Sequence, residues 1–302
     1  MTSKFTLLID DSLLNLSEEQ DEQYEKKYLL SYLNNFESGE WQYKSFNRFI
    51  FDNLCETALS AEEREKLPVD RQSDLAKAAS NLRFSDDNGQ GSELAEILLY
   101  GIMRRHYGAL PVVPKIYYKQ NSQDNAKGAD SVHIVIEEDR GFTLWYGESK
   151  FYNNLEGAMR AAIKSVKDTI TEEKLKKENS IVTQMKDLDI LVKNQEMLSK
   201  IKAMLSFNTS LDELKPILHI PILLLHECRI TAEQKQMNSE YKRSMQSNYQ
   251  EQAQKFFREL NAKCSKTFLY KEITFHLILV PVPDKDQIVR KFTNYARAIK
   301  DN

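Results

Sequence analysis

The chain has 302 residues, of which 41% are hydrophobic and 10% aromatic, a composition that excludes an intrinsically disordered protein. Its 42 Lys and Arg residues oppose 45 Asp and Glu residues, and the formal net charge of -3 excludes a uniformly basic protein that coats nucleic acid. The longest strongly apolar stretch, residues 217–225, is far shorter than a transmembrane helix requires, so the sequence predicts a globular protein with no membrane span.

The N-terminus and the cysteines favour a cytoplasmic location. Only a short apolar stretch precedes Asp10 and Asp11, whereas a secretory signal needs a long apolar region and a cleavage site. Cys55, Cys228 and Cys264 are widely separated and form no CxxC pair, so the sequence predicts neither a disulfide framework nor a structural zinc site.

The first 85 residues are predicted to form a mainly helical N-terminal region. A short strand is expected at residues 5–9, and the spacing of apolar side chains over residues 28–36 predicts a helix. A second amphipathic helix, over residues 46–61, ends before a polar segment. We therefore place a domain boundary after residue 85 and expect residues 86–302 to form a second domain.

This second domain is predicted to begin with the element order helix, three strands, helix. The first helix, over residues 93–106, is bounded by Ser92, a good N-cap residue, and by Gly108, a good C-cap residue. The composition of residues 138–141 predicts a turn that joins the second and third strands into an antiparallel hairpin. The strands are expected at residues 112–119, 129–137 and 142–150, and the next helix at residues 155–170.

A charge-dense segment, residues 171–215, is predicted to be a helical insertion. Two further strands and two further helices are expected after it, at residues 216–227, 272–282, 240–264 and 284–300. Because Pro221 cannot donate a hydrogen bond to a neighbouring strand, the first of these strands is expected at a sheet edge or with a bulge. The predicted fold class is α/β, with a central mixed sheet flanked by helices.

Three charged residues lie at the strand ends of the predicted hairpin. Glu148 and Lys150 are two residues apart and therefore project from the same face, and strand pairing can bring Asp130 beside Glu148. Two carboxylates at the end of an apolar strand repel each other unless a cation lies between them, and hard oxygen ligands suit Mg²⁺. The sequence thus predicts a divalent-metal site suited to phosphodiester hydrolysis, with an ordinary exposed ion pair at a strand end as the open alternative.

The helix that precedes the hairpin carries two further candidate metal ligands. Glu93 and Glu96 are one helical turn apart, amid apolar residues, and either carboxylate could reach the same metal ion. A solvated helix edge is the other interpretation of this pair.

These segments resemble the PD-(D/E)xK nuclease superfamily, whose core has the order helix, three-stranded meander, helix, strand. The resemblance covers about residues 91–170 and 216–282, and it implies a restriction-endonuclease-like core. It is carried by Glu93-Leu94-Ala95-Glu96 on the helix, Lys127-Gly128-Ala129-Asp130 before the second strand and Gly147-Glu148-Ser149-Lys150 at the end of the third. More narrowly, Lys115-Ile116-Tyr117-Tyr118-Lys119, Asp130-Ser131-Val132-His133 and Trp145-Tyr146-Gly147-Glu148 resemble the HamA family, the nuclease subunits of the bacterial Hachiman anti-phage system.

The resemblance implies DNA cleavage that depends on Mg²⁺, or on Mn²⁺, and a complex with a superfamily 2 helicase of the HamB type. It implies that Asp130 and Glu148 are metal ligands and that Lys150 positions water or stabilises charge. Glu96 is our choice for the helix carboxylate that completes the metal and catalytic site, and Glu93 is the alternative.

Basic residues flank the predicted site and could contact DNA phosphates, but no base-reading motif accompanies them, so we expect little sequence specificity. They are Arg104, Arg105, Lys115, Lys119, Lys127, Arg160, Lys164 and Lys167. A second hypothesis is a non-catalytic scaffold that binds DNA or a partner, with the helical segments 10–85 and 171–214 as docking surfaces.

Overall fold

A computed structural model describes residues 5–12, 22–65, 71–83, 91–119, 128–137, 141–184, 186–206 and 208–300. Its strands are β1 (Thr6–Ser12), β2 (Lys27–Leu33), β3 (Phe36–Glu37), β4 (Glu40–Trp41), β5 (Leu110–Val113), β6 (Ser131–Glu137), β7 (Gly141–Tyr152), β8 (Leu218–Glu227) and β9 (Thr274–Val282). Seven of them form one mixed sheet in the order β1-β2-β9-β8-β7-β6-β5, and β3 and β4 form a separate short hairpin.

The four middle strands of the sheet, β2, β9, β8 and β7, run parallel to one another, and β1, β6 and β5 pair antiparallel at the two sides. Parallel strands covered on both faces have nearly continuous apolar sequences, and all nine residues of β9 are buried. The centre of the hydrophobic core therefore lies on both faces of β8 and β9.

Helices precede, flank and follow the sheet strands. They are α1 (Tyr43–Asp52), α2 (Leu54–Ala58), α3 (Ala61–Glu65), α4 (Arg71–Ser80), α5 (Ser92–Tyr107), α6 (Lys115–Lys119), α7 (Leu155–Thr169), α8 (Glu172–Gln184), α9 (Lys186–Leu191), α10 (Gln195–Met204), α11 (Leu211–Leu214), α12 (Arg229–Glu233), α13 (Ser239–Cys264) and α14 (Lys285–Lys300). The predicted α/β class with helices around a mixed sheet is confirmed. Across the residues that the structure describes, no helix has the length and apolar character needed to cross a bilayer.

The two faces of the sheet are covered by different helices. A Cβ atom on Gly147 of β7 would lie 2.8 Å from Leu99, so this face of β7 packs on α5. On the opposite face His226 of β8 hydrogen bonds to Tyr249 of α13, and α13 packs on α7. Because side chains alternate along a strand, each β7 residue faces either α5 or the α7 and α13 layer.

The core elements from α5 to β8 follow the predicted order, and the antiparallel pairing of β6 with β7 is confirmed. The helices predicted over residues 155–170, 240–264 and 284–300 and the helical segment 171–215 are also confirmed, as are the last two strands. Gly108 ends α5 with a left-handed φ of 62°, as expected of a glycine C-cap.

Three local predictions were wrong. Residues 28–36 were predicted to be helical, but residues 27–33 form β2, which is buried between β1 and β9. The strand predicted at 112–119 ends at Val113, because Pro114 lacks an N–H and its fixed φ favours the helix that begins at Lys115. Ser92 does not cap α5: the N-cap is Gly91, whose φ is 75°.

The expectation that Pro221 marks an edge strand or a bulge was also wrong, since β8 lies between β7 and β9. The β7–β8 pairing has a gap between the pairs Trp145–His219 and Glu148–Ile222, at the position of Pro221, and the register is the same on both sides of it. Opposite it lies Gly147, on which a Cβ atom would come 3.3 Å from the Pro221 ring. The strand pairing thus has a gap where Pro221 lacks an N–H, and Gly147, which has no side chain, leaves room for the proline ring.

Candidate active site

The pairing of β6 with β7 places two carboxylates side by side. The backbone N–H of Asp130 donates to the carbonyl oxygen of Gly147 at 2.8 Å. Ser131 pairs with Gly147 in antiparallel register, so the next residues outward are Asp130 and, opposite it, Glu148. Opposed residues of an antiparallel pair project from the same face. The site therefore forms at the carboxyl end of β7.

Ser149 holds the Asp130 carboxylate in place. The Oδ2 atom of Asp130 accepts hydrogen bonds from the Ser149 backbone N–H at 2.9 Å and from the Ser149 hydroxyl at 3.2 Å. Two donors from one residue of the neighbouring strand restrict the rotation of the Asp130 side chain. This carboxylate is positioned by the hairpin itself.

Lys150 joins the two carboxylates into one charged cluster. Its Nζ atom donates to Oε1 of Glu148, lies 4.0 Å from Oδ2 of Asp130 and also donates to the Ser149 carbonyl oxygen at 3.1 Å. The Glu148 side chain is 9% exposed, whereas those of Asp130 and Lys150 are 22% and 20% exposed. Glu148 therefore lies buried at the bottom of the cluster, and Asp130 and Lys150 form a rim that a solute can reach.

Burial dominates the electrostatics of the cluster. It raises the pKa of Glu148 to about 8, with the neighbouring Asp130 charge adding to the rise and the Lys150 ammonium opposing it. Burial alone would lower the pKa of Lys150, but the two carboxylates outweigh it and the net shift is upward. One ammonium does not compensate two carboxylates, so the ionised cluster has an excess negative charge that favours a further cation.

The Glu148 carboxylate projects away from α5. The Ser165 side chain of α7 helps to lower the pKa of this carboxylate, while the adjacent Gly147 faces Leu99 of α5. Ser165 was missed in the sequence, although a polar residue among Ala162, Ile163 and Val166 on the packed side of a helix is a usable signal.

Glu93 and Glu96 lie on α5, which packs on the other face of the sheet. Both are buried on α5, with 8% and 4% exposure. Oε2 of Glu93 accepts the backbone N–H of Arg83 at 2.8 Å, and Glu96 lies near the Tyr100 hydroxyl, whose pKa its charge helps to raise. The structure brings together Asp130, Glu148 and Lys150, and the role of Glu96 as a third carboxylate stays a prediction.

The carboxylates of the cluster form a small donor set for the predicted magnesium ion. Within the described ranges, no three or more His, Cys, Asp or Glu side chains come together as a group able to hold a metal. Two carboxylates do meet, one buried and one at the rim, and Mg²⁺ is commonly bound by one or two carboxylates with water or phosphate oxygens in its other positions. Asp130 and Glu148 fit such an ion.

Several predicted phosphate contacts have other partners. Lys115 is fully buried and pairs with Glu178 of α8 at 3.0 Å. Arg104 pairs with Glu56 at 2.9 Å, and Arg105 lies 3.5 Å from Asp52. Lys127 lies outside the described residues. The expectation for Lys115 was wrong because this lysine begins α6 in the core rather than a surface strand.

The histidines lie away from the cluster. His133 is buried on the opposite face of β6 with its ring 4.5 Å from that of Tyr100, as its strand position predicts. His219 and His276, on β8 and β9, are 2.9 Å apart between Nδ1 and Nε2, and both rings contact Trp145, on which His276 stacks. The sequence did not reveal this pair because it depends on the register of two distant strands.

The fold and the site together define an α/β protein with an acid and lysine cluster at the carboxyl end of a central strand. The chain belongs to the HamA family, whose family model matches residues 10–296 of the 302. No curated protein matches the chain. Family membership assigns the chain to the Hachiman antiviral defence context.

Proposed function

We propose that this chain is a metal-dependent DNA nuclease that acts as the effector subunit of an anti-phage defence complex with a superfamily 2 helicase. The observation that carries this proposal is the meeting of Asp130, Glu148 and Lys150 at one accessible strand end. Family membership supports the defence role, and the helicase partnership follows from the resemblance described above.

In the proposed reaction, Asp130 and Glu148 would hold Mg²⁺ or Mn²⁺, with Glu96 as the predicted third carboxylate. The bound ion would lower the pKa of a water molecule and offset charge on the phosphate. Lys150 positions the attacking water or stabilises the charge that develops on the phosphoryl oxygens. The water oxygen would form the new bond to phosphorus and give up a proton, the bond from phosphorus to one sugar oxygen would break, and that sugar oxygen would take up a proton.

The partial exposure of the rim supports an approach by the DNA backbone. Asp130 and Lys150 are each about one-fifth exposed, whereas Glu148 lies beneath them. The Lys150 ammonium supplies a positive charge at this rim. Contacts of this kind attract phosphates without reading bases, in keeping with low sequence specificity.

The test is a plasmid-degradation assay with the partner helicase, ATP and Mg²⁺, in which the unaltered chain is compared with Glu148→Gln and Lys150→Met. We expect each substitution to slow degradation by about a hundredfold or more, a loss typical of a removed transition-state contact. Glu172→Gln, an exposed change on α8, is the matched control and should leave the rate unaltered. Full activity of both site variants would contradict the proposal.

The alternative is a non-catalytic scaffold that binds DNA or its partner. Lys150 already pairs with Glu148, and such an ion pair can occur at the end of a strand without a metal ion. This alternative predicts binding with no cleavage by the unaltered chain in either Mg²⁺ or Mn²⁺, with and without the helicase.

A further inference from the structure

A buried carboxylate of the helical insertion contacts the segment that leads into the candidate site. Oε1 of Glu178, on α8, accepts the backbone N–H of Ala129 at 3.0 Å, one residue before Asp130. Its Oε2 accepts a hydrogen bond from Nζ of Lys115 at 3.0 Å. The side chains of Lys115 and Glu178 are 0% and 2% exposed.

The contact extends to Gly128. A Cβ atom there would lie 1.4 Å from Oε1 of Glu178, so the carboxylate occupies the space that a side chain would need. The φ of Gly128 lies outside the left-handed region, and glycine is therefore required by this close approach rather than by backbone conformation. Glu178 thus packs directly against the backbone of residues 128–129.

The cost of this arrangement indicates a role beyond stability. A buried ion pair must offset the desolvation of both charges, and a well-packed apolar pair of the same size is often at least as stable. Here one oxygen neutralises Lys115 and the other holds the backbone just before Asp130. Groups that orient a ligating residue without touching the metal commonly change metal affinity by about 10- to 100-fold when removed.

We propose that Glu178 is a positioning residue that fixes the approach of Asp130 to the metal site, with Lys115 as its counter-charge. This inference rests on the proposed function, because it takes Asp130 as a metal ligand. It assigns the helical insertion a direct part in the geometry of the site.

Two double variants separate the hydrogen bond from the charge. Lys115→Met with Glu178→Gln removes the ion pair but keeps an oxygen that can accept the Ala129 N–H. Lys115→Met with Glu178→Met removes the ion pair and the acceptor together. Both leave the pocket uncharged, so a difference between them reports on the contact with Ala129.

The measurements are the Kd for Mn²⁺ by titration calorimetry and the Mg²⁺ concentration for half-maximal cleavage in the full complex. In the variant with Met at both positions, we expect the Kd for Mn²⁺ and the half-maximal Mg²⁺ concentration each to rise by about 10- to 100-fold. We expect its kcat at saturating metal to change little. The variant that retains an acceptor should stay within about threefold of the unaltered chain. Equal metal binding by the two folded variants would overturn the inference.

Gly128→Ala tests the same contact by a change at residue 128, because its methyl group displaces the Glu178 carboxylate. We expect a rise in the Kd for Mn²⁺ of similar size, and this variant decides the matter if the Met variant does not fold. An unchanged Kd in folded Gly128→Ala would then overturn the inference.

Asp130→Asn, measured in parallel, distinguishes this inference from the proposed function. If Asp130→Asn leaves Mn²⁺ binding unchanged, the metal-site assignment fails and the inference fails with it. If Asp130→Asn abolishes binding while the two double variants bind alike, only the positioning role of Glu178 is overturned.

Discussion

At the scale of single residues, Glu148 occupies the least favourable position for a charge in the cluster. It is nearly buried, it faces Asp130, and one lysine serves both carboxylates. Its raised pKa is the direct consequence, since burial and a like charge both disfavour ionisation. A bound divalent cation would reverse this balance, so the same geometry that strains the metal-free site favours a metal ion.

The raised pKa of Glu148 predicts how stability depends on pH without divalent cations. The folded state holds the proton more tightly than the unfolded chain, so this stabilisation is complete below about pH 4.5 and is lost as the pH rises through about 8. In EDTA we expect the urea midpoint to fall between about pH 6 and about pH 8.5, and Glu148→Gln to remove part of that fall. If the urea midpoint fell equally with pH in Glu148→Gln and in the exposed control Glu172→Gln, this prediction would be contradicted.

At the scale of elements, α5 owes its close packing on α1 to a glycine. Gly101 lies in the middle of α5, and a Cβ atom there would come 2.6 Å from the Phe49 ring and 2.8 Å from Nδ2 of Asn53. Asn53 is fully buried and donates to the Phe49 carbonyl oxygen, so neither neighbour can easily move. Gly101 therefore lowers the helix propensity of α5 but allows α5 to pack close to α1.

Gly101→Ala should therefore destabilise the protein although alanine is the better helix former. Propensity alone predicts a gain of about 1 kcal/mol, whereas overpacking of this kind costs about 1–3 kcal/mol. We expect a net loss in the free energy of unfolding measured in urea, and Gly101→Ala with Phe49→Leu should recover part of it. A more stable Gly101→Ala protein would show that α1 and α5 pack less tightly than described.

The sequence predicted elements well where a local pattern decides them. Residues 142–150 alternate and follow a turn, so the hairpin and the meeting of Asp130 with Glu148 and Lys150 depend on local register. The strand β2 was missed because its apolar spacing also fits a helix, and its pairing with β1 and with the distant strand β9 fixes its conformation. Glu178 acts on a backbone 49 residues away, a contact that no local pattern encodes.

At the scale of the whole molecule, the N-terminal region contributes to the central sheet. β2 pairs with β9 from Lys27 and Phe275 to Ser31 and Leu279, and β1 pairs with β2 outside it. The division of the chain into residues 1–85 and 86–302 stays a prediction, and the shared sheet gives it a direct test. An exposed parallel strand edge is an aggregation hazard.

Residues 86–302 expressed alone should therefore aggregate, because β9 would lose β2 along a fully buried strand. We expect residues 1–85, supplied as a separate chain in the same cells, to restore part of the soluble protein. The measurements are the soluble fraction and the cooperativity of urea unfolding. A soluble, cooperatively folded 86–302 fragment would instead support two independent domains.

The metal site is tested most directly by the binding of Mn²⁺ to the full-length chain, followed by titration calorimetry and by the electron paramagnetic resonance of free Mn²⁺. We expect the unaltered chain to bind Mn²⁺, and we expect the double variant Asp130→Asn with Glu148→Gln to lose this site while it unfolds as cooperatively as before. Undiminished Mn²⁺ binding by the folded double variant would show that Asp130 and Glu148 are not the metal ligands.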